Sequence, residues 1–468
     1  MKNASRICIT AGVLALATST SAIAWTSLAG TPPLAAHRSP AWTINAVIYE
    51  VNVRQYTPEG TLAALQRQLP RLDSLGVNIL WIMPVQPIGQ KSRKGSLGSY
   101  YSIRDYTDIN QEFGTKADFK AFVEAAHKRG MRVILDWVAN HTSFDHAWTT
   151  AHPDWYVHRP DGSISFARDD QNKETDWTDV AELDYDNRAM RKAMIGDMKW
   201  WLDTMRIDGF RCDVAGGVPN DFWAEARRAL IAARPDLFML AEGENPALHR
   251  SFDMTYGWEL HHLLNAIAQG KKPTGELDAY FARQARAYPP GVYRMYFTSN
   301  HDENSWNGSE FERMGENHVP AFILAATVEG SMPLLYTGQE VSMRKRLRFF
   351  DKDTVDWSGP SLADFYRKVF ALKHANRALW NGAYGGKQAR LRTEGVGGGV
   401  DRVYAFTRTR GTNTVLVAVN FGDAPARAAY KGLARPGRYA DWFSPSKMAL
   451  SGAGQLDIPA HGYRVLVR

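Results

Sequence analysis

Two hydrophobic rhythms alternate along most of this chain, and near its end only one survives. "AVIYEVNV" (Ala46 to Val53) is a short apolar run of strand type, and helical character continues from it through Leu75. "VNILWIMPV" (Val77 to Val85) predicts a second strand. In "TKADFKAFVEAAHKRG" the residues Phe119, Phe122, Val123 and Ala126 recur at helical spacing. Thr115 and Asp118 make a capping box in front of that helix, and Gly130 stops it. "MRVILDWVANH" then reads as a nearly continuous apolar strand, the pattern of a parallel strand covered on both faces. An irregular stretch from Thr142 to Asp186 is too long for an ordinary loop, which predicts a functional segment or a small inserted domain. A helix follows with Met190, Met194, Met198, Trp201 and Met205 on one face. Further strands are predicted to end at Asp213, at Glu242, near Asp253, at Ser299 and at Tyr336, with helices between them. Eight strands in this rhythm fit a closed (β/α)₈ TIM barrel.

From about Gly382 the helical period disappears. "VYAFTRTR", "TVLVAVNFG", "RYADWF" and "GYRVLVR" are short strands separated by Gly, Pro and Asn turns. They predict a C-terminal antiparallel β-sandwich domain. The expected organisation is a barrel over 42–381 with an insert at 142–186, followed by a β-sandwich over 382–468.

The amino terminus follows a different logic. Lys2 and Arg6 precede the apolar run Ile7 to Leu16, and small residues lead to Ala22-Ile23-Ala24. This is the layout of a secretory signal peptide over 1–24, with cleavage after Ala24 and a leader segment over 25–41. A secreted or periplasmic protein is expected. No later segment approaches eighteen uninterrupted apolar residues, so no membrane contact is expected after cleavage. Of the two cysteines, Cys8 lies in the signal, leaving Cys212 alone and no disulfide within one chain.

Composition changes little in this picture. Its ordinary apolar and charged fractions exclude disordered and fibrous classes. The formal charge of +7 drops to +5 without Lys2 and Arg6 (7 − 2 = 5), and the positive residues are scattered. "MRKRLR" (Met343 to Arg348) is the one tight cluster and reads as a solvated loop, so nucleic acid is not an expected partner. A monomer is the expected state.

Candidate chemistry starts from "RIDGFRCDVAGGVP" (Arg206 to Pro219). Arg211 and Asp213 interrupt an apolar strand two residues apart, so both point to the same face at its carboxyl end. Alone, such a pair is ordinarily a structural ion pair. Other strand ends are polar too. Asp136, Asn140 and His141 close strand three, Glu242 in "FMLAEGEN" closes strand five, and His301 and Asp302 in "FTSNHDEN" follow strand seven. Each has an ordinary reading as a packed, capping or solvated residue. Active groups of a (β/α)₈ barrel sit at the carboxyl ends of its strands, and here one mouth would receive them all.

"LDWVANH", "GFRCDVAGG", "LAEGE" and "FTSNHDE" together resemble the four motif regions of the alpha-amylase family, glycoside hydrolase family thirteen. "GSYYSIRDYTDINQEFGT" resembles that family's second-strand loop and "LLYTGQE" its eighth-strand end, and the likeness covers residues 42 to 468. The resemblance implies that Asp213 is a nucleophile, Glu242 the general acid/base and Asp302 a third acid that grips sugar hydroxyls. It implies substrate contacts for Arg211, His141 and His301, and a sugar-stacking role for Tyr101. It also implies a Ca²⁺ site matched by Asn140, Glu182 and a backbone carbonyl near Gly217, and no organic cofactor.

The implied chemistry is retaining hydrolysis, in which one carboxylate attacks and one carboxyl protonates the leaving oxygen, about 5–5.5 Å apart. On electrostatic grounds Arg211 should keep Asp213 ionised and titrating low, while apolar surroundings and neighbouring carboxylates raise Glu242. "VAELDYDN" leans towards α-1,4 bonds in starch, glycogen or maltooligosaccharides. Transglycosylation uses the same intermediate and stays open. A noncatalytic glucan-binding protein is the third reading, against which stands the presence of all three carboxylates.

Overall fold

The computed structural model describes residues 39–169, 173–395 and 402–468. The expected signal peptide and most of the leader lie outside them. Among the described residues no helix is long and apolar enough to cross a membrane.

Eight parallel strands close a barrel: β1 (Ile48–Val51), β2 (Ile79–Ile82), β3 (Arg132–Val138), β6 (Gly209–Asp213), β7 (Phe238–Ala241), β8 (Met254–Tyr256), β9 (Tyr293–Tyr296) and β10 (Ser331–Tyr336). Their order around the ring is β1-β10-β9-β8-β7-β6-β3-β2. Strands β4 (His141–Ser143) and β5 (Val180–Glu182) pair antiparallel in the segment after β3, where the sequence anticipated an insert.

Alternation along each strand divides two cores. Ile48, Ile79, Trp81, Ile134, Phe238, Leu240, Met254, Met295, Met332 and Leu334 fill the barrel interior. Tyr49, Leu135, Phe210 and Cys212 point outward into the layer between strands and helices. Gly209 belongs to the interior for a steric reason: a Cβ there would come 1.9 Å from the Phe238 carbonyl oxygen. The same alternation that turns Ile48 and Ile134 inward turns Glu50, Asp136 and Arg211 inward one layer higher, where apolar filling stops.

Several expected boundaries move. The sixth strand starts after Asp253 instead of ending near it, because Asp253 is drawn into a buried ion pair with Arg227 at 2.8 Å. The seventh ends at Tyr296, so residues 297–302 form the approach to the mouth and not strand. Strand three ends at Val138, and His141 opens β4. The methionine-faced helix runs Arg188–Trp200 and widens into a π-turn over Trp201–Met205. The helix at Lys116–His127 carries the expected Thr115–Asp118 capping box.

The C-terminal region holds a six-stranded sheet, order β11-β13-β14-β19-β16-β17, and a three-stranded sheet, order β12-β15-β18. Their strands are β11 (Lys387–Arg390), β12 (Arg392–Gly395), β13 (Val403–Arg410), β14 (Asn413–Asn420), β15 (Ala426–Lys431), β16 (Gly437–Asp441), β17 (Lys447–Leu450), β18 (Ala453–Ile458) and β19 (Gly462–Val467). Ala405, Leu416, Ala418 and Leu466 face the sandwich core, while Phe406, Val415, Val417 and Val465 join the core of the barrel helices. Burial on both faces explains why "TVLVAVNFG" shows no polar alternation.

Candidate active site

Arg211 is the hub. It is fully buried, and strand register places it directly beside Asp136 on β3. Its Nη1 donates to Asp136 Oδ1 at 2.9 Å and to Asp213 Oδ1 at 2.7 Å. Its Nη2 lies 2.9 Å from Glu242 Oε1, and its Nε donates to the Tyr256 hydroxyl at 3.1 Å. One guanidinium therefore touches three carboxylates, on β3, on β6 and just past the end of β7, three consecutive strands of the ring.

The turn after β6 aims Glu242. Val214 has a φ of 43°, a left-handed conformation that a β-branched residue adopts only under strain. Its N–H donates to Glu242 Oε2 at 2.9 Å. Asp136 accepts from the Trp81 indole at 3.1 Å and from the Tyr101 hydroxyl at 3.0 Å, in addition to Arg211. The Tyr101 oxygen lies 2.7 Å from His301 Nε2, whose other nitrogen, Nδ1, is 2.5 Å from Glu50 Oε1. Asp302 stands 3.3 Å from His301 Nε2 and keeps its side chain 35% exposed, against 9% for Asp213 and 17% for Glu242.

Burial dominates the titration of this cluster. It pushes Asp213 up to about 6, with Arg211 opposing and Asp136 and Asp302 adding to the rise. It pushes Glu242 up to about 7 against the pull of Arg211, with Asp213 and Asp302 adding to it. It raises Asp136 to about 6. The expectation that Arg211 would hold Asp213 low is thus corrected: a single buried cation divided among three carboxylates cannot offset their desolvation. The order survives, with Glu242 retaining its proton to higher pH than Asp213. His301 moves up to about 9: burial alone would lower it, and the charges of Asp302 and Glu50 outweigh that. His141 falls to about 4 through burial and is neutral at ordinary pH.

The residues singled out in the sequence come together. Asp213, Glu242, Asp302, Arg211, His301 and Tyr101 ring one mouth, and His141 meets Trp177 edge-on at 5.9 Å. Tyr101 is less available than a free platform, because its ring packs against both His301 at 5.4 Å and Phe349 at 6.1 Å and is 8% exposed. Beyond Phe349, Trp306 continues the aromatic wall at 5.1 Å and is 51% exposed. Sequence reading missed Glu50, Trp81, Tyr256, Phe349 and Trp306. Glu50 carried the same signal as Asp136, a carboxylate inside an apolar strand.

Asn140 and Glu182 also meet. Asn140 Nδ2 donates to Glu182 Oε2 at 3.1 Å, the Arg168 N–H donates to the same oxygen at 2.9 Å, and burial pushes Glu182 up to about 8. A Cβ on Gly217 would come 3.0 Å from Asn140 Oδ1, so the turn after Asp213 closes on the same place. Among the described residues no group of three or more His, Cys, Asp or Glu is placed to hold a metal. Ca²⁺ accepts amide and carbonyl oxygens beside a carboxylate, so this oxygen-rich set fits it.

A separate cavity of about 460 Å³ lies between the helix Glu276–Ala287, β9 and the C-terminal sheet. Its charges are paired, Lys387 with Glu329, Arg390 with Asp278 and Arg294 with Glu244 just outside it, and it holds none of the mouth residues.

A parallel eight-stranded barrel with acid, base and guanidinium groups gathered at the carboxyl ends of its strands defines a class of barrel proteins built for polar-substrate chemistry. Residues 36–373 match the family described as alpha amylase, catalytic domain, and residues 399–463 match alpha amylase, C-terminal all-beta domain. The chain belongs to the alpha-amylase family, glycoside hydrolase family thirteen. Similar proteins include alpha-amylase MalA of Haloarcula japonica, 30% identical over 86% of this chain and 59% of the relative. Another is alpha-1,4-glucan:maltose-1-phosphate maltosyltransferase 1 of Streptomyces coelicolor, 26% identical over 83% of this chain and 59% of the relative. The chain thus spans about three-fifths of these relatives' length. Among solved structures, the maltogenic alpha-amylase AmyB of Thermotoga neapolitana superposes with a TM-score of 0.81 at 28% identity, covering 90% of this chain and 98% of that one. An alpha-amylase of Lactobacillus plantarum does so with a TM-score of 0.79 at 29% identity, covering 91% and 99%.

Proposed function

We propose that the chain is an exported, retaining α-glucan hydrolase acting on α-1,4 bonds of starch, glycogen or maltooligosaccharides. The observation that carries this reading is the sharing of Arg211 by Asp213 and Glu242, which keeps both carboxyls within one side chain's width. That closeness favours the spacing of about 5–5.5 Å used by retaining enzymes over the wider one used by inverting enzymes. Asp213 attacks the anomeric carbon as the glycosidic C–O bond breaks, and Glu242 gives its proton to the departing oxygen. Glu242, now ionised, takes a proton from water as that water displaces Asp213. Once Asp213 is esterified its negative charge is gone, which lowers Glu242 and suits it to act as base. Asp302, the most exposed of the three acids, is placed to accept from sugar hydroxyls. Tyr101, Phe349 and Trp306 provide an aromatic wall for sugar rings.

If a sugar hydroxyl takes the place of water, the same site transfers glycosyl units, a reading favoured by the maltosyltransferase among the relatives. A reducing-sugar assay on soluble starch and on maltopentaose, with products separated by length, tests both. Short products alone support hydrolysis, products longer than the starting sugar support transfer, and no new reducing ends would refute the proposal.

Asn140, Glu182 and the backbone near Gly217 would hold Ca²⁺, which when bound would supply charge compensation and tie the segment after β3 to the turn after Asp213. A fall in Tm on chelation that is reversed by Ca²⁺ and not by Mg²⁺ supports this site, and an unchanged Tm removes it. Export is proposed from residues 1–24, and amino-terminal sequencing of the secreted protein would find a start at Trp25.

A further inference from the structure

Glu50, like Asp136, is a carboxylate of the barrel interior that takes no step in the chemistry above, but its close partner is His301 and not Arg211. It sits on β1, faces inward, and is fully buried. Oε1 lies 2.5 Å from His301 Nδ1, and Oε2 is buried with no hydrogen-bond partner. A buried carboxylate with an orphan oxygen is costly unless a cation stands against it. Arg211 contributes from β6, but its close contacts are already committed to Asp136, Asp213 and Glu242.

We infer that Glu50 is a positioning residue that keeps His301 doubly protonated, so that Nε2 remains a permanent hydrogen-bond donor at the substrate end of the mouth. Hydrogen-bond direction leads to this assignment. The Tyr101 hydroxyl gives its proton to Asp136, so its oxygen is free to accept from His301 Nε2, which lies 2.7 Å away. Nε2 therefore carries a proton. Nδ1, set against a carboxylate oxygen at 2.5 Å, must share a proton there as well. Asp302, 3.3 Å from Nε2, favours placing that second proton on the ring and not on Glu50. The other groups facing the pair are Arg211 on β6, Asp136 on β3, Tyr256 on β8 and Tyr336 on β10. Of these, Arg211 alone opposes the imidazolium.

The donor matters because a neutral histidine with a bare Nε2 would face the Asp302 carboxylate and the Tyr101 oxygen, whose proton is on Asp136, turning an attraction into lone-pair repulsion. With glutamate on β1 the ring does not titrate in the working range. With glutamine it would, since burial alone drives a histidine down.

The test is Glu50→Gln, with Glu50→Asp as the charge-keeping variant. Protein labelled with ¹⁵N-histidine is titrated by NMR, and the His301 signals are identified by their loss in His301→Gln. The wild-type ring should stay doubly protonated past pH 8, and in Glu50→Gln it should titrate about two pH units lower. Glu50→Asp should restore most of the difference. On starch, Glu50→Gln should lose about tenfold or more in kcat/KM between pH 6 and pH 8 beyond any wild-type loss. Only this kinetic arm rests on the glucan proposal; if no glucan is cleaved, the NMR arm still decides. A neutral wild-type His301 at pH 7 overturns the inference, and so does an identical His301 titration in Glu50→Gln. Should Glu50→Gln fail to fold, as judged by circular dichroism, the wild-type titration decides alone.

Discussion

Replacing Arg211 with methionine removes the only cation that, among the described residues, makes an ion pair with Asp136, Asp213 and Glu242, while keeping most of the side-chain volume. The three contacts lie at 2.9, 2.7 and 2.9 Å. At an effective dielectric constant of about 20, each is worth about 6 kcal/mol of bare attraction. Desolvation and repulsion among the carboxylates cancel much of the sum, and breaking a buried ion pair from one side costs about 3–5 kcal/mol net. That loss appears in two observables. At neutral pH the variant should melt several degrees below wild type. The three carboxyls together should also hold their protons about two or three pH units higher in sum, about one unit each, since about 1.4 kcal/mol corresponds to one unit.

The pH dependence has a definite sign. Asp213, Asp136 and Glu242 already sit above the unfolded range of about 4, so the folded state binds more protons there. Stability carried by these groups is highest at acid pH and declines as pH rises from about 4 through their folded values near 6 and 7. In Arg211→Met the decline should be steeper and extend past pH 8. Melting curves from pH 5 to 9 and kcat/KM on maltopentaose across the same range measure both effects. The acid limb of activity should move up, because Asp213 must be ionised to attack. A variant that melts within about 1 kcal/mol of wild type and keeps its acid limb would refute the hub role of Arg211.

Asp213→Asn and Glu242→Gln, both near-isosteric, should keep the wild-type Tm within a few degrees and lose on the order of 10³-fold or more in turnover; retention of a tenth of wild-type activity in either would unseat its role. Asp302→Asn removes one of the charges that raise Glu242, so the alkaline limb of kcat/KM should shift to lower pH, and an unmoved limb would leave burial as the sole cause. Trp306→Ala opens the exposed end of the aromatic wall and should raise KM for maltooligosaccharides several-fold with little change in kcat, whereas Tyr101→Ala, which also frees Asp136 and His301, should lower kcat as well.

Local pattern was enough for the barrel and the C-terminal sheets. Alternation along a strand is a property of the backbone, so Arg211 and Asp213 had to share a face, and the capping box at Thr115 needed only four consecutive residues. Where strands end depended on distant partners: Asp253 left its strand for Arg227, and residues 297–302 broke from β9 to line the mouth. The division of one guanidinium among three strands was likewise a tertiary outcome. The sequence pairs Arg211 with Asp213 alone, while closing the ring adds Asp136 and Glu242 and reverses the expected titration of Asp213. Glu50 shows the same limit, since its role exists only because closure of the barrel sets it against His301, 251 residues away. Hydrophobic period is written in near neighbours, whereas desolvation and charge sharing depend on everything the fold brings within a few ångströms.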